Sequence, residues 1–125
     1  MNKKVGKLSK KVIDILCLEC EEMPIFLGDT NIEHMKNRHY DDYIKYGNDI
    51  KEIIKNPTYI ARNPNQGSIE YIKEYKSNAD NDVVLLAVRA SHKQTLFIKT
   101  LFIMSERKKR YIFKERICKK ILLEP

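Results

Sequence analysis

Two histidines and an arginine lie within six residues of one another in the first third of the chain. They are His34, Arg38 and His39, and the 125-residue sequence contains three histidines in all. Imidazole has an unperturbed pKa near neutrality, so a pair of histidines supplies both a general base and a general acid. A neighbouring guanidinium supplies a cation for a phosphate. In a basic protein, this combination predicts acid–base chemistry on a phosphodiester.

The segment that carries these residues has local signals of a helix. Thr30 and Glu33 have the spacing of a capping box, which predicts a helix start there. On a helical projection His39 falls on the apolar stripe, whereas His34 and Arg38 fall on the opposite side. Both imidazoles can therefore reach one phosphate only if the helix ends or unwinds near Arg38. The alternative is that His39 is a core histidine hydrogen-bonded to a carbonyl.

Two polar residues of the C-terminal half stand among apolar neighbours in predicted strands. Strict alternation over residues 68–76 puts Lys73 on a face that is otherwise apolar and aromatic. The same rule puts Thr100 in an apolar row of the last strand, with Leu96, Ile98, Phe102 and Met104. Both side chains can donate a hydrogen bond to a phosphate lying over the sheet. The alternatives are a lysine whose stem packs on apolar surface and a threonine suited to a strand.

Positive charge is concentrated at the two ends of the chain. The net charge is +7; residues 1–11 contain five lysines and no acid, and residues 105–120 contain eight basic residues against two acidic ones. Such clusters attract a polyanion through counterion release. The side chains expected to contact nucleic acid are Arg107, Lys108, Lys109 and Arg110. The alternative is a solvated basic face that keeps the protein soluble.

The three cysteines do not have the pattern of a disulfide framework, since their number is odd and no secretory signal is recognised. Cys17 and Cys20 form one C-x-x-C pair, which His34 and His39 could complete as a tetrahedral metal site. The apolar residues around Cys17 favour buried thiols instead. The sequence therefore predicts neither a metal nor another cofactor.

Composition and hydropathy indicate a globular protein. The chain is 42% hydrophobic and 33% charged, which is typical of one domain spanning residues 1–125. No apolar run approaches the roughly 18 residues that span a bilayer. Acidic residues also interrupt the apolar stretch after the basic N-terminus, so we expect no signal peptide, no membrane partner and a cytoplasmic location.

The predicted elements change from helical to strand periodicity near residue 57. Before it we expect an edge strand at 4–8, a helix at 9–20, a strand at 23–28, the histidine-bearing helix and a helix at 49–55. After it we expect strands at 58–62, 68–76, 83–90 and 95–104, turns at 63–67, 77–81 and 91–94, and a basic helix from 105 to about 120. This order predicts an α+β fold with helices packed on one face of a roughly four-stranded antiparallel sheet and a C-terminal basic helix.

A series of short motifs follows one another along residues 5–110. In chain order they are Val5-Gly6-Lys7-Leu8, Pro24-Ile25-Phe26-Leu27, His34-Met35 with Arg38-His39, Ile53-Ile54-Lys55-Asn56-Pro57-Thr58-Tyr59-Ile60, the strand residue Lys73, and Thr100-Leu101-Phe102 before Ser105. This order resembles the phage-associated branch of the barnase/EndoU/colicin/RelE-like nuclease superfamily, PBECR. The resemblance implies the BECR fold, N-terminal helices on a four-stranded antiparallel sheet. It also implies a metal-independent ribonuclease, because the superfamily consists largely of such enzymes, many of them toxins.

The same resemblance implies which residues act. The positions that match the family's histidine-bearing helix, strand lysine and final hairpin are His34, Arg38, His39, Lys73, Thr100 and Ser105. The implied reaction is attack of an RNA 2′-hydroxyl on the adjacent phosphate, which gives a 2′,3′-cyclic phosphate. Because an intracellular ribonuclease must be restrained, an acidic inhibitor protein is an implied partner besides RNA. The alternative is a non-catalytic nucleic-acid-binding or protein-interaction domain on the same fold, which has no need of an inward-facing histidine.

Overall fold

The structure, a computed structural model, describes residues 2–63, 67–76, 81–90, 94–115 and 117–120, with side chains in all of these but 114–115 and 117–120. The helices within these ranges are α1 (Lys10–Ile15), α2 (Asp29–Arg38), α3 (Tyr40–Tyr46), α4 (Ile50–Lys55) and α5 (Glu106–Glu115), with a 3-10 turn at Gly47–Asp49. The strands are β1 (Lys3–Leu8), β2 (Met23–Leu27), β3 (Tyr59–Asn63), β4 (Ser68–Glu74), β5 (Val83–Ala90), β6 (Leu96–Ile103) and β7 (Ile117–Lys120). No helix among the described residues is long and apolar enough to cross a membrane. The turns predicted at 63–67, 77–81 and 91–94 lie largely outside the described residues.

The described strands form one sheet in the order β1-β2-β6-β5-β4-β3-β7. Its centre, β3 to β6, is the predicted antiparallel meander. The description as a four-stranded antiparallel sheet is nevertheless wrong, because β2 pairs in parallel with β6 and the described sheet has seven strands. The added strands cover the outer edges of the meander, where backbone N–H and C=O groups would otherwise lack partners.

The helices pack on both faces of this sheet. On the first face, α1 to α4 bury an apolar core against the strands; among its members are Val12, Met35, Tyr46 and Ile53. On the second face, Ile112 of α5 packs with alternate residues of β3, β4 and β5. The expectation of helices on one face is therefore correct for α1 to α4 and wrong for α5.

The helix that carries the histidines is bounded differently from the prediction. It begins after Gly28, whose backbone N–H donates to Asn31 Oδ1 at 2.9 Å, so the predicted capping pair of Thr30 and Glu33 does not start it. The Asn31 side chain, three residues after the N-cap Gly28, thus satisfies a backbone N–H that has no partner within the helix. The helix ends at Arg38 and α3 begins at Tyr40, so a non-helical residue separates the two helices.

The terminal helices are both shorter than predicted. In α1 the helix ends at Ile15, and Cys17 has a φ of 55°, which is outside helical geometry. Cys17 and Cys20 are exposed, so the expectation of buried thiols is wrong for both. At the other end, Ser105 Oγ accepts the Lys108 N–H at 3.1 Å and caps α5 as predicted. The helix stops at Glu115 instead of residue 120, because the following residues pair with β3 as β7.

A bulge in β6 decides which residues face which side of the sheet. Ala87 pairs with Thr100 and Val88 pairs with Ile98, so Lys99 is an extra residue between them. Ile98 then faces the first face, whereas Thr100 and Phe102 face the second. The predicted row that joined Thr100 to Leu96 and Ile98 is therefore wrong, since an extra residue shifts the alternation of a strand by one.

Candidate functional site

His39 interrupts the helical segment and turns toward β6. Its φ of −141° and ψ of 55° are not helical, and its ring lies 5.3 Å from the Phe102 ring, measured between centroids. Three residues later, Asp42 Oδ2 accepts the backbone N–H of Ile103 at 3.0 Å. That part of the β6 edge is accessible to α3 because β2 pairs only with the first two residues of β6. The helix break that both histidines would require near Arg38 is thus present, and contacts with β6 stabilise it at the start of α3.

His34 is exposed on α2 and lines a groove of about 340 Å³. On the helix side the groove is lined by His34 with Thr30 and Asn31, and on the strand side by the ends of β5 and β6. The strand side contributes two cations and one aromatic ring, from Arg89, Lys99 and Phe97. A groove of this composition is suited to a ligand that is anionic and has an aromatic part.

The two imidazoles are therefore directed at the same strand. His34 lies by the bulge at Lys99, and His39 lies on Phe102. Five helical residues correspond to a rise of about 7.5 Å, which is the approximate offset of the two histidines along α2. Thr100 lies between the two contact points on β6 and, like Phe102, is on the second face. Arg38 is exposed at the last position of α2.

Lys73 lies away from this group. It pairs with Val84 on the first face of the sheet, whereas Thr100 is on the second. Its Nζ donates to the backbone oxygen of Asn56 at 2.8 Å, just after α4, and lies 6.0 Å from the Tyr75 ring centroid. An ammonium at this position stabilises the C-terminal end of a helix. Its ammonium is thus bonded at the end of α4, on the face opposite Thr100 and Phe102.

The basic residues of α5 have different environments. Lys108 Nζ lies 5.7 Å from the centroid of the Phe102 ring, the same ring that His39 contacts. Lys109 Nζ bonds Glu106 Oε1 at 2.8 Å, and Arg107 and Arg110 are exposed. Ser105, which caps this helix, uses its hydroxyl oxygen for the Lys108 N–H. Lys108 is therefore the member of this basic set nearest the histidines.

A buried carboxylate on the second face was not singled out from the sequence. Glu70 is 4% exposed and pairs with Ala87, which in turn pairs with Thr100. Two strand spacings separate Glu70 from Thr100, about 9.6 Å. Strict alternation over residues 68–76 puts Glu70 on the face opposite Lys73, and the pairing of β4 with β5 confirms it. Its burial was missed because a glutamate that alternates with apolar residues is usually exposed to solvent.

The groove residues Arg89, Phe97 and Lys99 were missed for another reason. Arg89 ends an otherwise apolar strand, which was a signal that the sequence offered. Phe97 lies just before the bulge and Lys99 is its extra residue. The bulge depends on the pairing of β6 with β5 and has no local sequence signature. Among the described residues, no group of three or more His, Cys, Asp or Glu is arranged to hold a metal ion.

Comparisons with known proteins identify the family. No curated protein and no solved structure matches the chain. A family model described as phage-Barnase-EndoU-ColicinE5/D-RelE like nuclease3 (PBECR3) matches residues 3–111, from the start of β1 into α5. The resemblance drawn from the order of the motifs is thereby confirmed. The chain belongs to the PBECR3 family of phage-Barnase-EndoU-ColicinE5/D-RelE like nucleases.

Proposed function

We propose that the protein is an endoribonuclease that cleaves RNA without a metal ion. The single observation that carries the proposal is the direction of the two histidines. His39 leaves the helix and packs on Phe102, while His34 lines the groove beside Lys99, so both approach one strand from the same helical segment. Membership of a nuclease family supports phosphodiester cleavage in general. The imidazole pair supports the RNA-specific form of that chemistry.

In the proposed mechanism one imidazole removes the proton of the RNA 2′-hydroxyl, and the resulting oxyanion attacks the adjacent phosphorus. The other imidazole, in its protonated form, donates a proton to the departing 5′-oxygen. The products are a 2′,3′-cyclic phosphate and a 5′-hydroxyl. In this proposal the two rings approach one phosphate from two sides, and each needs only hydrogen-bond distance to its proton.

The negative charge that develops on the phosphorane requires donors and cations beside it. Arg38, which precedes His39, and the Thr100 hydroxyl supply them in this proposal. Lys108 adds a further cation next to Phe102. Lys73 and Ser105 have structural roles instead, because each bonds backbone at a helix end.

The first experiment is incubation of labelled RNA and sequence-matched DNA with the protein in excess EDTA. Wild type is compared with His34→Ala and His39→Ala, and Asn37→Ala serves as the control because it is an exposed position of the same helix. We expect cleavage of RNA alone, cyclic phosphate ends, and a loss of at least about 100-fold in each histidine variant. DNA is spared because it lacks the 2′-hydroxyl nucleophile.

Three results would reject the proposal. Cleavage that stops in EDTA, or that extends to DNA, is incompatible with the 2′-hydroxyl mechanism. Intact RNA with salt-sensitive binding that both histidine variants retain would instead favour a non-catalytic nucleic-acid-binding domain.

A pH profile assigns the proton-transfer groups further. A general acid and a general base that act together give a bell-shaped dependence of kcat/KM on pH, and removing either one removes one limb of the bell. Glu70→Gln is measured beside them because this buried carboxylate lies on the same face as Thr100. If Glu70 shares the proton transfer, the limb that rises with pH is lost in the glutamine variant while the His39→Ala profile keeps it.

We extend the proposal to the setting of the enzyme. An unrestrained cytoplasmic ribonuclease is harmful to its host, so a toxin role and a cognate acidic inhibitor follow from the activity. The exposed cations of α5 supply a surface of the required charge. Expression of wild type should reduce host growth, and His39→Ala should restore it. Equal growth with both genes would reject the toxin role without affecting the cleavage assay.

A further inference from the structure

One row of side chains crosses four strands on the second face, outside the cluster around α5. In the β1–β2 pair Lys4 is opposite Phe26, in the parallel β2–β6 pair Phe26 is opposite Phe97, and in the β5–β6 pair Phe97 is opposite Arg89. Residues opposite one another in a sheet lie on the same face. The order across the sheet is therefore cation, ring, ring, cation, over about 14 Å. We call these four residues the stacking row.

The stacking row is accessible. Lys4 and Arg89 are exposed, and the two phenylalanine rings are half-buried with their centroids 5.9 Å apart. Among the described residues, the apolar cluster that Ile112 of α5 forms on this face contains none of the four. Apolar rings between exposed cations are unusual on a solvated sheet face, which normally alternates polar side chains with an apolar core. This arrangement therefore requires an explanation other than packing.

We infer that the stacking row binds single-stranded RNA, with bases on Phe26 and Phe97 and phosphates at Lys4 and Arg89. Unpaired bases stack on aromatic side chains of an open sheet face, and nearby cations bind the backbone between them. Duplex RNA does not expose its bases in this way. The inference deepens the proposed function and rests on it for the choice of RNA, since the row itself would also stack the bases of single-stranded DNA.

The row is continuous with the candidate catalytic groove. Phe97 and Arg89 belong to the row and also line the groove that contains His34. A strand bound along the row therefore leads into the groove, where the next phosphate reaches the bulge at Lys99. The stacking row thus selects unpaired RNA and aligns it with the histidines.

The test is binding of fluorescein-labelled 12-nucleotide RNA, followed by fluorescence anisotropy. It uses the full chain with His39→Ala, so that the RNA is not cleaved during titration. Phe26→Leu and Phe97→Leu remove the aromatic faces and keep apolar volume, while Lys4→Gln and Arg89→Gln remove the charges. The matched controls are Phe113→Leu, an exposed ring on α5, and Lys51→Gln, an exposed lysine on α4. Urea midpoints show that each variant is folded.

We expect each leucine variant to raise the Kd for single-stranded RNA about tenfold, as loss of one base–aromatic stack does. Each glutamine variant should lower the slope of log K against log salt by about 0.7, the value for one single-strand phosphate contact. Phe113→Leu should leave the Kd within twofold, and Lys51→Gln should leave the slope unchanged. A duplex of the same RNA should bind more weakly and respond to neither leucine substitution.

Two outcomes would overturn the inference. One is a Kd within twofold of the parent in both leucine variants, and the other is duplex binding as tight as single-strand binding. Both outcomes are measured by binding alone, so the cleavage assay tests the nuclease proposal independently. Specific binding at the stacking row by a wild type that leaves RNA intact would support the inference and reject the enzyme. RNA cleavage by wild type, together with normal RNA binding by both leucine variants, would support the enzyme and reject the inference.

Discussion

The carboxylate of Asp42 connects α3 to β6, and its removal is the sharpest test of how His39 is positioned. Asp42 Oδ2 accepts the Ile103 backbone N–H at 3.0 Å in a partly buried setting. His39 begins the same helical turn and packs on Phe102, the residue before Ile103. Asp42→Ala should therefore destabilise the fold and release the imidazole from its contact.

The magnitude follows from the type of bond. A hydrogen bond to a charged group contributes about 1.5–3 kcal/mol, and a buried donor left without a partner costs about 1–3 kcal/mol. Because water can reach this partly buried site, we expect Asp42→Ala to lower the free energy of unfolding by about 2 kcal/mol. Asp42→Asn keeps an acceptor oxygen, so it should lose about half as much, as neutral bonds are roughly half as strong as charge-assisted ones.

The neighbouring aspartate provides the matched control. Asp41 is exposed and also lies in the first turn of α3, so Asp41→Ala makes the same change of charge at the same end of the helix. A decrease in the free energy of unfolding that is common to both variants measures the interaction of a first-turn carboxylate with the helix dipole, which is about 0.3–1 kcal/mol. Urea unfolding followed by far-UV circular dichroism gives the free energies, and RNA cleavage gives the effect on the imidazole.

The reasoning is refuted if Asp42→Ala and Asp41→Ala unfold with free energies within about 0.5 kcal/mol of each other. Such a result would mean that the hydrogen bond between Asp42 and Ile103 makes no net contribution to the free energy of unfolding. The bond would then not be what fixes α3 against β6. A stable Asp42→Ala variant with unchanged cleavage would also remove the argument that this bond positions His39.

Three further outcomes are expected. Met35→Ala, at a position with no exposed surface, should lower the free energy of unfolding by about 2–5 kcal/mol in urea, whereas an exposed alanine substitution on α2 should change it little. The Lys45 ammonium holds the pKa of Asp82 below its ordinary value, so this pair stabilises the fold above about pH 4 and stabilises it less as the pH falls through the lowered pKa. The urea midpoint of Asp82→Asn should accordingly lie below that of wild type at about pH 7, and the difference should shrink as the pH is lowered further below about 4. Variants that keep only Cys17 or only Cys20 should react with an aromatic disulfide reagent in the native state at the rate of an exposed thiol, and slow reaction that needs urea would contradict their exposure.

Much of the fold followed from local pattern. The strand at Val83–Ala90 has the predicted bounds, because a run of β-branched and aliphatic residues leaves little alternative. In β4, alternation correctly divided Tyr71 from Glu70 and put Lys73 on the face of the first core. The helix predicted at 49–55 is present as α4, with Ile53 and its apolar neighbours buried. These features depend on each residue and its near neighbours alone.

The arrangement of the candidate site could be predicted only in part. His34, Arg38 and His39 were selected as candidates from residue type and spacing, and the helix break that their joint action requires is present. Lys73 bonds the backbone at the end of α4 instead of lying beside the histidines, a relation that no local pattern encodes because it depends on how distant helices and strands meet. Phe97 joins the stacking row through its pairing with Phe26, which is more than 60 residues away in sequence.

The sequence by itself determined the residue types that we propose for the chemistry, the periodicity of most strands and helices, and the family to which the chain belongs. The tertiary structure alone decided how those elements meet. The bulge at Lys99 turns Thr100 toward the second face, and the parallel pairing of β2 with β6 forms the stacking row. The reason is physical: period and composition act within a few residues, whereas a bulge or a strand order depends on backbone hydrogen bonds between distant segments.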